Sequence, residues 1–322
     1  MLRASRPLAV LTSAVALGGC SEAGSNHSGI EQSVSSAQIQ QLGASTVLLL
    51  DRSRNSSEPW HPACSGTKVA IGGSSNYVVT AAHCLDFSFD AKRNRQAVNV
   101  LPYTSHEYIV ANRVTTKIKH QHGADLIGQV AAAAYIPGVG KNGPDLDLLK
   151  ITDKTHKDAA RFNRIPALPF SRMGGQPSKG QSVVVESYPT SVTGSLTSTV
   201  GEYIGRITTP PFFNREGSID VVGLKVSNAV HDACEHGGSG SSFVSPAAVS
   251  GPLSYRSETG HETNEPLKHP TKHEQAIGQT KSQESRSQLQ AALHMDLSQF
   301  NVVCTFTVPP PNIANSLVEA LK

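Results

Sequence analysis

From about residue 45 onward, short apolar runs recur along the chain, and Gly, Pro, Asn and Ser separate them. The run Ser45-Thr46-Val47-Leu48-Leu49-Leu50 has no polar alternation after its second residue, which is the pattern of a strand buried on both faces. Further β-rich runs lie at 68–71, 77–80, 97–101, 108–110 and 146–151. A second set follows at 182–186, 203–207, 219–226, 242–244 and 302–308. Residues 130–134 fit a helix or a strand equally well. Many short strands with frequent turn residues predict an all-β fold of antiparallel barrels, with no internal repeat. The pattern changes at about 254–290, where Ser, Thr, Glu, Lys, His and Gln crowd out any apolar period. That stretch reads as a long polar surface insertion. After Pro309-Pro310-Pro311, the residues Ile313, Leu317, Val318 and Leu321 return at helical spacing, so residues 312–322 form a closing amphipathic helix.

Composition narrows the function classes. The 322 residues are 38% hydrophobic, too apolar for a disordered chain, and 27 Gly with 19 Pro are too many turn formers for a helical bundle. Formal net charge is only +3, and Lys and Arg are scattered without a basic run, so no nucleic-acid partner is expected.

The first residues form a targeting segment. Arg3 and Arg6 precede an apolar stretch, 7–18, too short to span a bilayer, and it ends in Leu17-Gly18-Gly19-Cys20. This resembles the lipobox of bacterial lipoproteins, which implies a signal peptide over 1–19 and acylation of Cys20. A Ser/Gly/Asn/Gln-rich stretch over 20–40 then reads as a flexible tether to the membrane. The expected location is the bacterial cell envelope, and Ser21 after the cysteine implies the outer membrane in a Gram-negative cell. Five cysteines leave one over after pairing, and a lipidated Cys20 accounts for it. Cys64, Cys84, Cys234 and Cys304 can then form two bridges outside the cytoplasm, in any of three pairings.

Three windows carry chemistry. The first is Cys64-Ser65-Gly66-Thr67 followed by Val78-Val79-Thr80-Ala81-Ala82-His83-Cys84. The second is Asp145-Leu146-Asp147-Leu148-Leu149-Lys150-Ile151, and the third is Cys234-Glu235-His236-Gly237-Gly238-Ser239-Gly240-Ser241-Ser242. Together, in the order His, Asp, Ser, they resemble the trypsin-like serine proteases of the chymotrypsin fold. The third window is closer still to the Gly-x-Ser-Gly-Ser-Pro form of the bacterial glutamyl endopeptidases. The resemblance covers about 44–322 but is specific only in these windows.

That resemblance implies two six-stranded barrels, one over 41–160 with His83 and Asp145 and one over 161–322 with Ser239. It implies Ser239 as nucleophile, His83 as general base and Asp145 as the acid that orients it. Backbone N–H groups of Gly237 and Ser239 would form the oxyanion hole. Bridges Cys64–Cys84 and Cys234–Cys304 would pin the histidine loop and bracket the substrate pocket. The implied activity is hydrolysis of peptide bonds in protein or peptide substrates, with no cofactor. A catalytically silent homologue acting as a surface binding module is the alternative.

Several departures qualify the match. Asp147 shares a strand face with Asp145, so either can address the histidine, and Asp145 fits the aliphatic spacing better. Gly238 stands where trypsin-like zymogens carry an aspartate that pairs with a new α-amino group. No trypsin-type activation is therefore expected. Asp232 lies two residues before Cys234, the offset of the trypsin specificity aspartate, but one extra residue separates Cys234 from Ser239. Asp232 thus reads either as a specificity residue or as an ordinary loop aspartate. His120 with His122, and His261 with His269 and His273, lack the companion ligands of a compact metal site, and no metal is expected.

Overall fold

The computed structural model describes residues 33–53, 60–85, 99–101, 106–114, 124–135, 145–152, 156–189, 195–208, 217–226, 231–235, 237–258, 286–310 and 313–322. The segment expected to be a targeting sequence, Cys20, His236 and the histidines at 120, 122, 261, 269 and 273 lie outside them.

Strands β1 (Thr46–Ser53), β2 (His61–Ile71), β3 (Ser74–Thr80), β4 (Asn99–Leu101), β5 (His106–Val114), β6 (Ala124–Tyr135) and β7 (Asp147–Thr152) build the first barrel. The order β1-β5-β6-β7-β3-β2 closes on itself because β2 also pairs β1, with Val47 opposite Gly66 and Leu49 opposite Cys64. Residues 130–134 are strand, in register with β7. The unbroken apolar run of β1 has its reason here. Val47 and Leu49 enter the barrel core with Val78, Val110, Val130 and Leu149, while Leu48 and Leu50 pack outward against Ala111 and Tyr188.

The helix α2 (His156–Arg164), which the apolar pattern did not indicate, crosses the expected boundary at 160 and belongs with this barrel. Its Phe162 enters the core, and the buried Lys68 of β2 donates from Nζ to the carbonyls of Phe162 (2.6 Å) and Ile165 (2.8 Å). A cation at a helix C-terminus meets carbonyls that have no partner within the helix. A short strand β8 (Leu168–Pro169) then pairs parallel with β2.

The second barrel comprises β9 (Ser182–Ser187), β10 (Thr197–Ile207), β11 (Ser218–Leu224), β12 (Ser242–Val244), β13 (Leu253–Glu258) and β14 (Val302–Val308). Their order is β12-β9-β10-β11-β14-β13, all antiparallel. β12 and β13 are the two ends of this order, and around the start of β13 the chain is bonded back toward β12 through Leu253 N–H to Ser241 O (2.6 Å) and Ser250 N–H to Phe243 O (2.9 Å). Tyr203, Phe243, Leu253 and Phe306 fill its interior, with Phe243 and Phe306 edge to face at 4.9 Å between centroids. This is the expected all-β, two-barrel, chymotrypsin-like architecture.

Two boundaries are corrected. The polar insertion does not begin at 254, because 253–258 is strand β13, and its end is also structured, as a helical segment at 286–293 (α3). From that segment onward, Leu289, Leu297 and Phe300 cover the outer face of β10, β11 and β14 at Ile204, Ile219, Val221 and Val303. The tether also ends earlier than residue 40, since α1 (Ser36–Ser45) is a helix. A capping box starts it: Ser35 Oγ accepts from Gln38 N–H and the Gln38 side chain accepts from Ser35 N–H.

The two ends of the described chain tie the barrels together. Gln38 Nε2 donates to the carbonyls of Ser245 and Pro246 beside β12. The closing helix α4 (Ile313–Ala320) packs back on the first barrel. Its Leu317, with Leu321 beyond it, joins Tyr77, Val79 and Leu148 in the core that both barrels share with Val184 and Val244.

Candidate active site

His83 sits in a single 3-10 turn (Ala82–Cys84) directly after β3, and the fully buried Ala81 and Ala82 let this turn lie close against the barrel. Asp145 precedes β7, the neighbour of β3 in the sheet. The two residues meet twice: His83 N–H donates to Asp145 Oδ1 at 3.0 Å, and ring Nδ1 lies 2.7 Å from Oδ2. The carboxylate is completely buried, whereas the His83 side chain is 39% exposed. An ionised carboxylate only accepts, so Nδ1 carries the proton and Nε2 is left as the basic nitrogen.

A third residue, missed in the sequence, completes this pair. Ser254 Oγ donates to Asp145 Oδ2 at 2.5 Å, and Thr307 Oγ1 donates to the Asp145 carbonyl at 3.3 Å. Ser254 was assigned to the polar insertion because β13 has only Leu253 and Tyr255 as apolar residues. The one available signal was the apolar Leu253 directly after the turn pair Gly251-Pro252.

The structure separates the two aspartates. Asp147 is fully buried, pairs with Thr80 across the sheet, and neither carboxylate oxygen has a hydrogen-bond partner. Burial, and secondarily the charge of Asp145, hold its carboxyl well above the usual carboxylate range. Asp147 is thus buried without a hydrogen-bond partner, whereas Asp145 is the aspartate bonded to His83.

Ser239 lies in the loop between Cys234 and β12. Gly237 and Gly240 in this loop have φ of 91° and 84°, the left-handed region in which a side chain is strained. Packing adds a second requirement, because a Cβ on Gly240 would stand 2.1 Å from Thr80 Oγ1 and 2.2 Å from Ser65 O. Gly238 is equally constrained: its Cβ would stand 2.4 Å from Ala233 O and 2.8 Å from Glu235 O. No aspartate can occupy that position in this loop.

The fully buried Ser65 holds the loop from the first barrel. Its N–H donates to Ser239 O (2.8 Å), its Oγ donates to Gly237 O (2.9 Å), and Oγ accepts from Tyr188 N–H (2.9 Å). Within the loop, Gly238 N–H donates to Glu235 O (2.7 Å) and Ser241 N–H to Gly238 O (3.0 Å). Among the described residues, no backbone carbonyl takes the N–H of Gly237 or Ser239. The next link is covalent, since Cys64, adjacent to Ser65, is bonded to Cys84, adjacent to His83. The Ser239 loop and the histidine turn are therefore joined through Ser65, Cys64 and Cys84.

The second bridge, Cys234–Cys304, joins the start of the nucleophile loop to β14. Asp232 beside it is buried. Its Oδ1 accepts from Cys234 N–H at 2.8 Å and its Oδ2 pairs with Arg256 at 2.6 Å. Burial raises its carboxyl, while the Arg256 guanidinium and the Cys234 N–H oppose that shift. Among the described residues, the one cluster with metal-ligand spacing is His83 with Cys64 and Cys84, and those sulfurs are bonded to each other.

No family model and no curated protein matches the chain. Among solved structures, the chain is similar to the inactive form of the Rv3671c protease of M. tuberculosis, at 14% identity and a TM-score of 0.42 over 88% of this chain and 91% of that one. It is also similar to the MamO protease domain from Magnetospirillum magneticum, at 17% identity and a TM-score of 0.41 over 87% of this chain and 98% of that one. A third is kallikrein-related peptidase 10, at 17% identity and a TM-score of 0.40 over 67% of this chain and 83% of that one.

Proposed function

We propose that this chain is a serine endopeptidase that works through Ser239, His83 and Asp145. The observation that carries the reading is the doubly bonded His83–Asp145 pair, with Nδ1 to Oδ2 at 2.7 Å and Ser254 Oγ bonded to the same carboxylate oxygen. Asp145 holds the ring in the tautomer whose Nε2 accepts the Ser239 proton as Oγ attacks the scissile carbonyl. The imidazolium that results is stabilised by the buried carboxylate, and it then protonates the leaving amine. Water hydrolyses the acyl-enzyme by the same route in reverse. The N–H groups of Gly237 and Ser239 receive the developing oxyanion, and such donors are worth about 10²–10³ in kcat each.

The substrates in this reading are proteins or peptides. Two disulfides accord with folding in an oxidising compartment, and acylation of Cys20 would hold the enzyme at the cell envelope. Labelling of the purified protein with a fluorophosphonate tests the proposal. Expected is labelling that Ser239→Ala abolishes and His83→Ala strongly slows. A folded protein with no Ser239-dependent labelling would mean a silent homologue acting as a binding module.

A further inference from the structure

Strand β13 leaves the nucleophile loop and passes the His83–Asp145 pair within three residues. Leu253 is bonded to two adjacent residues of that loop, through its N–H to Ser241 O and its carbonyl to Gly240 N–H. Ser254 then reaches Asp145. A β-bulge follows between Leu253 and Tyr255, and Arg256 lies just beyond it. In register, Arg256 stands opposite Cys304 of β14. Cys304 is bonded to Cys234, and the Arg256 guanidinium is bonded to Asp232, two residues before Cys234. Two cross-links, one covalent and one ionic, thus run side by side from β13 and β14 to the root of the nucleophile loop.

We infer that the Arg256–Asp232 bridge closes, at shallow depth, the recess beside Ser239, so that the enzyme cleaves after small uncharged residues and Arg256 is its specificity-determining residue. The inference rests on the proposed peptidase activity of the same site. It follows from volume and from charge. The guanidinium crosses from the strand to the loop to reach Asp232, where it would stand in the way of a long substrate side chain. Asp232 is 1% exposed and already bonded at 2.6 Å, so it is not available to a substrate lysine or arginine. Glu235 is likewise paired, with His231 at 3.0 Å. β13 is also the last strand of its sheet, so a peptide laid along its outer edge can place a side chain beside Arg256.

Peptide libraries varied at the residue before the scissile bond test this, with fluorophosphonate labelling of Ser239 run on the same protein. The wild type is expected to favour Ala, Gly and Ser over Lys, Arg, Phe and Glu by roughly 10–100-fold or more in kcat/KM, the scale at which pocket volume discriminates. Arg256→Gly uncovers Asp232 and should raise cleavage after Lys and Arg at least about tenfold. Because that variant leaves a buried carboxylate without its partner, the charge-neutral pair Arg256→Gly with Asp232→Ser serves as the second arm. It should admit Leu and Phe without gaining Lys or Arg. Labelling at Ser239 combined with wild-type cleavage after Lys, Arg, Phe or Glu overturns the inference and leaves the peptidase reading intact. Unchanged specificity in both variants overturns it equally, while loss of labelling in the wild type overturns both.

Discussion

Replacing Asp147 by valine should stabilise the protein at neutral pH and leave catalysis intact, although Asp145 two residues away should tolerate no change. Both Asp147 oxygens are buried without a donor, and each such group costs about 1–3 kcal/mol relative to an apolar side chain of similar shape. Valine suits a strand and removes the group outright. A second contribution depends on pH. Because burial raises the Asp147 carboxyl, the folded chain holds this proton to a higher pH than the unfolded chain, which loses it near the ordinary value of 3.8. Between those two values the unfolded state binds fewer protons, so stability falls as pH rises, by up to about 1.36 kcal/mol per unit. Asp147→Asn removes this slope but keeps the desolvation cost; Asp147→Val removes both. Urea melts of the oxidised protein from pH 4 to pH 8 separate them. For Asp147→Val at pH 7 a gain of at least about 1 kcal/mol is expected, which corresponds to roughly 2–4 °C in Tm for a protein of this size. By contrast, Asp145→Asn should lower kcat by about 10⁴ because the ring loses its tautomer. An Asp147→Val protein that is less stable than wild type, or one that is inactive while folded, would refute the assignment of the two aspartates.

Ser65→Ala keeps the backbone N–H to Ser239 O but removes the hydroxyl from Gly237 O, so kcat should fall by about 10–100-fold with KM nearly unchanged, measured on a small-residue peptide. Equal losses in kcat and in affinity would instead indicate general misfolding. Lys68→Met withdraws the two Nζ bonds at the end of α2 and should cost about 1–3 kcal/mol at pH 7. Burial lowers the Lys68 ammonium to about 8 against 10.5, so between those values the unfolded state holds more protons and stability rises with pH. Urea melts at pH 8 and pH 10 should show that rise in the wild type and not in Lys68→Met.

The strands that carry their own apolar pattern were legible in the sequence, and β12 and β14 fall on the expected residues 242–244 and 302–308. The strands and helices that borrow their burial from elsewhere were not. β13 is a run of alternating polar residues whose stability comes from pairing with β14 and from Ser254 on Asp145, and neither contact leaves a local signature. α2 is almost wholly polar, and a single phenylalanine and a lysine from a distant strand hold it. The His83 window was legible because one strand, one turn and one disulfide define it within about twenty residues. The ambiguity between Asp145 and Asp147 could not be decided locally, since the sequence pattern alone puts both on one strand face. What distinguishes them is the three-dimensional position of Ser254, more than a hundred residues away. Asp232 had the right offset for a specificity residue, but the arginine that neutralises it lies in the stretch with the least readable pattern.

The same long-range logic explains how the nucleophile loop keeps its shape without a buried ion pair. In a zymogen-type loop, a carboxylate before the nucleophile pairs with a new amino terminus, and the hole forms only then. Here Ala233 O and Glu235 O occupy the space that such a side chain would need beside Gly238, so that device is sterically closed. The loop is instead held by neutral hydrogen bonds from the first barrel, through Ser65 to Gly237 and Ser239, and from β9 through Ser187 Oγ to Ala233 O at 2.6 Å. The Asp232–Arg256 pair holds its root. These contacts exist as soon as the barrels pack, and the N-terminal helix is bound to the second barrel through Gln38 rather than through a free amine. Under the proposed function, a loop built this way would be competent on folding, its shape set by the barrel interface rather than by cleavage of the chain. Substitutions that loosen that interface, such as at Ser65, should therefore reach the oxyanion hole before they reach overall stability.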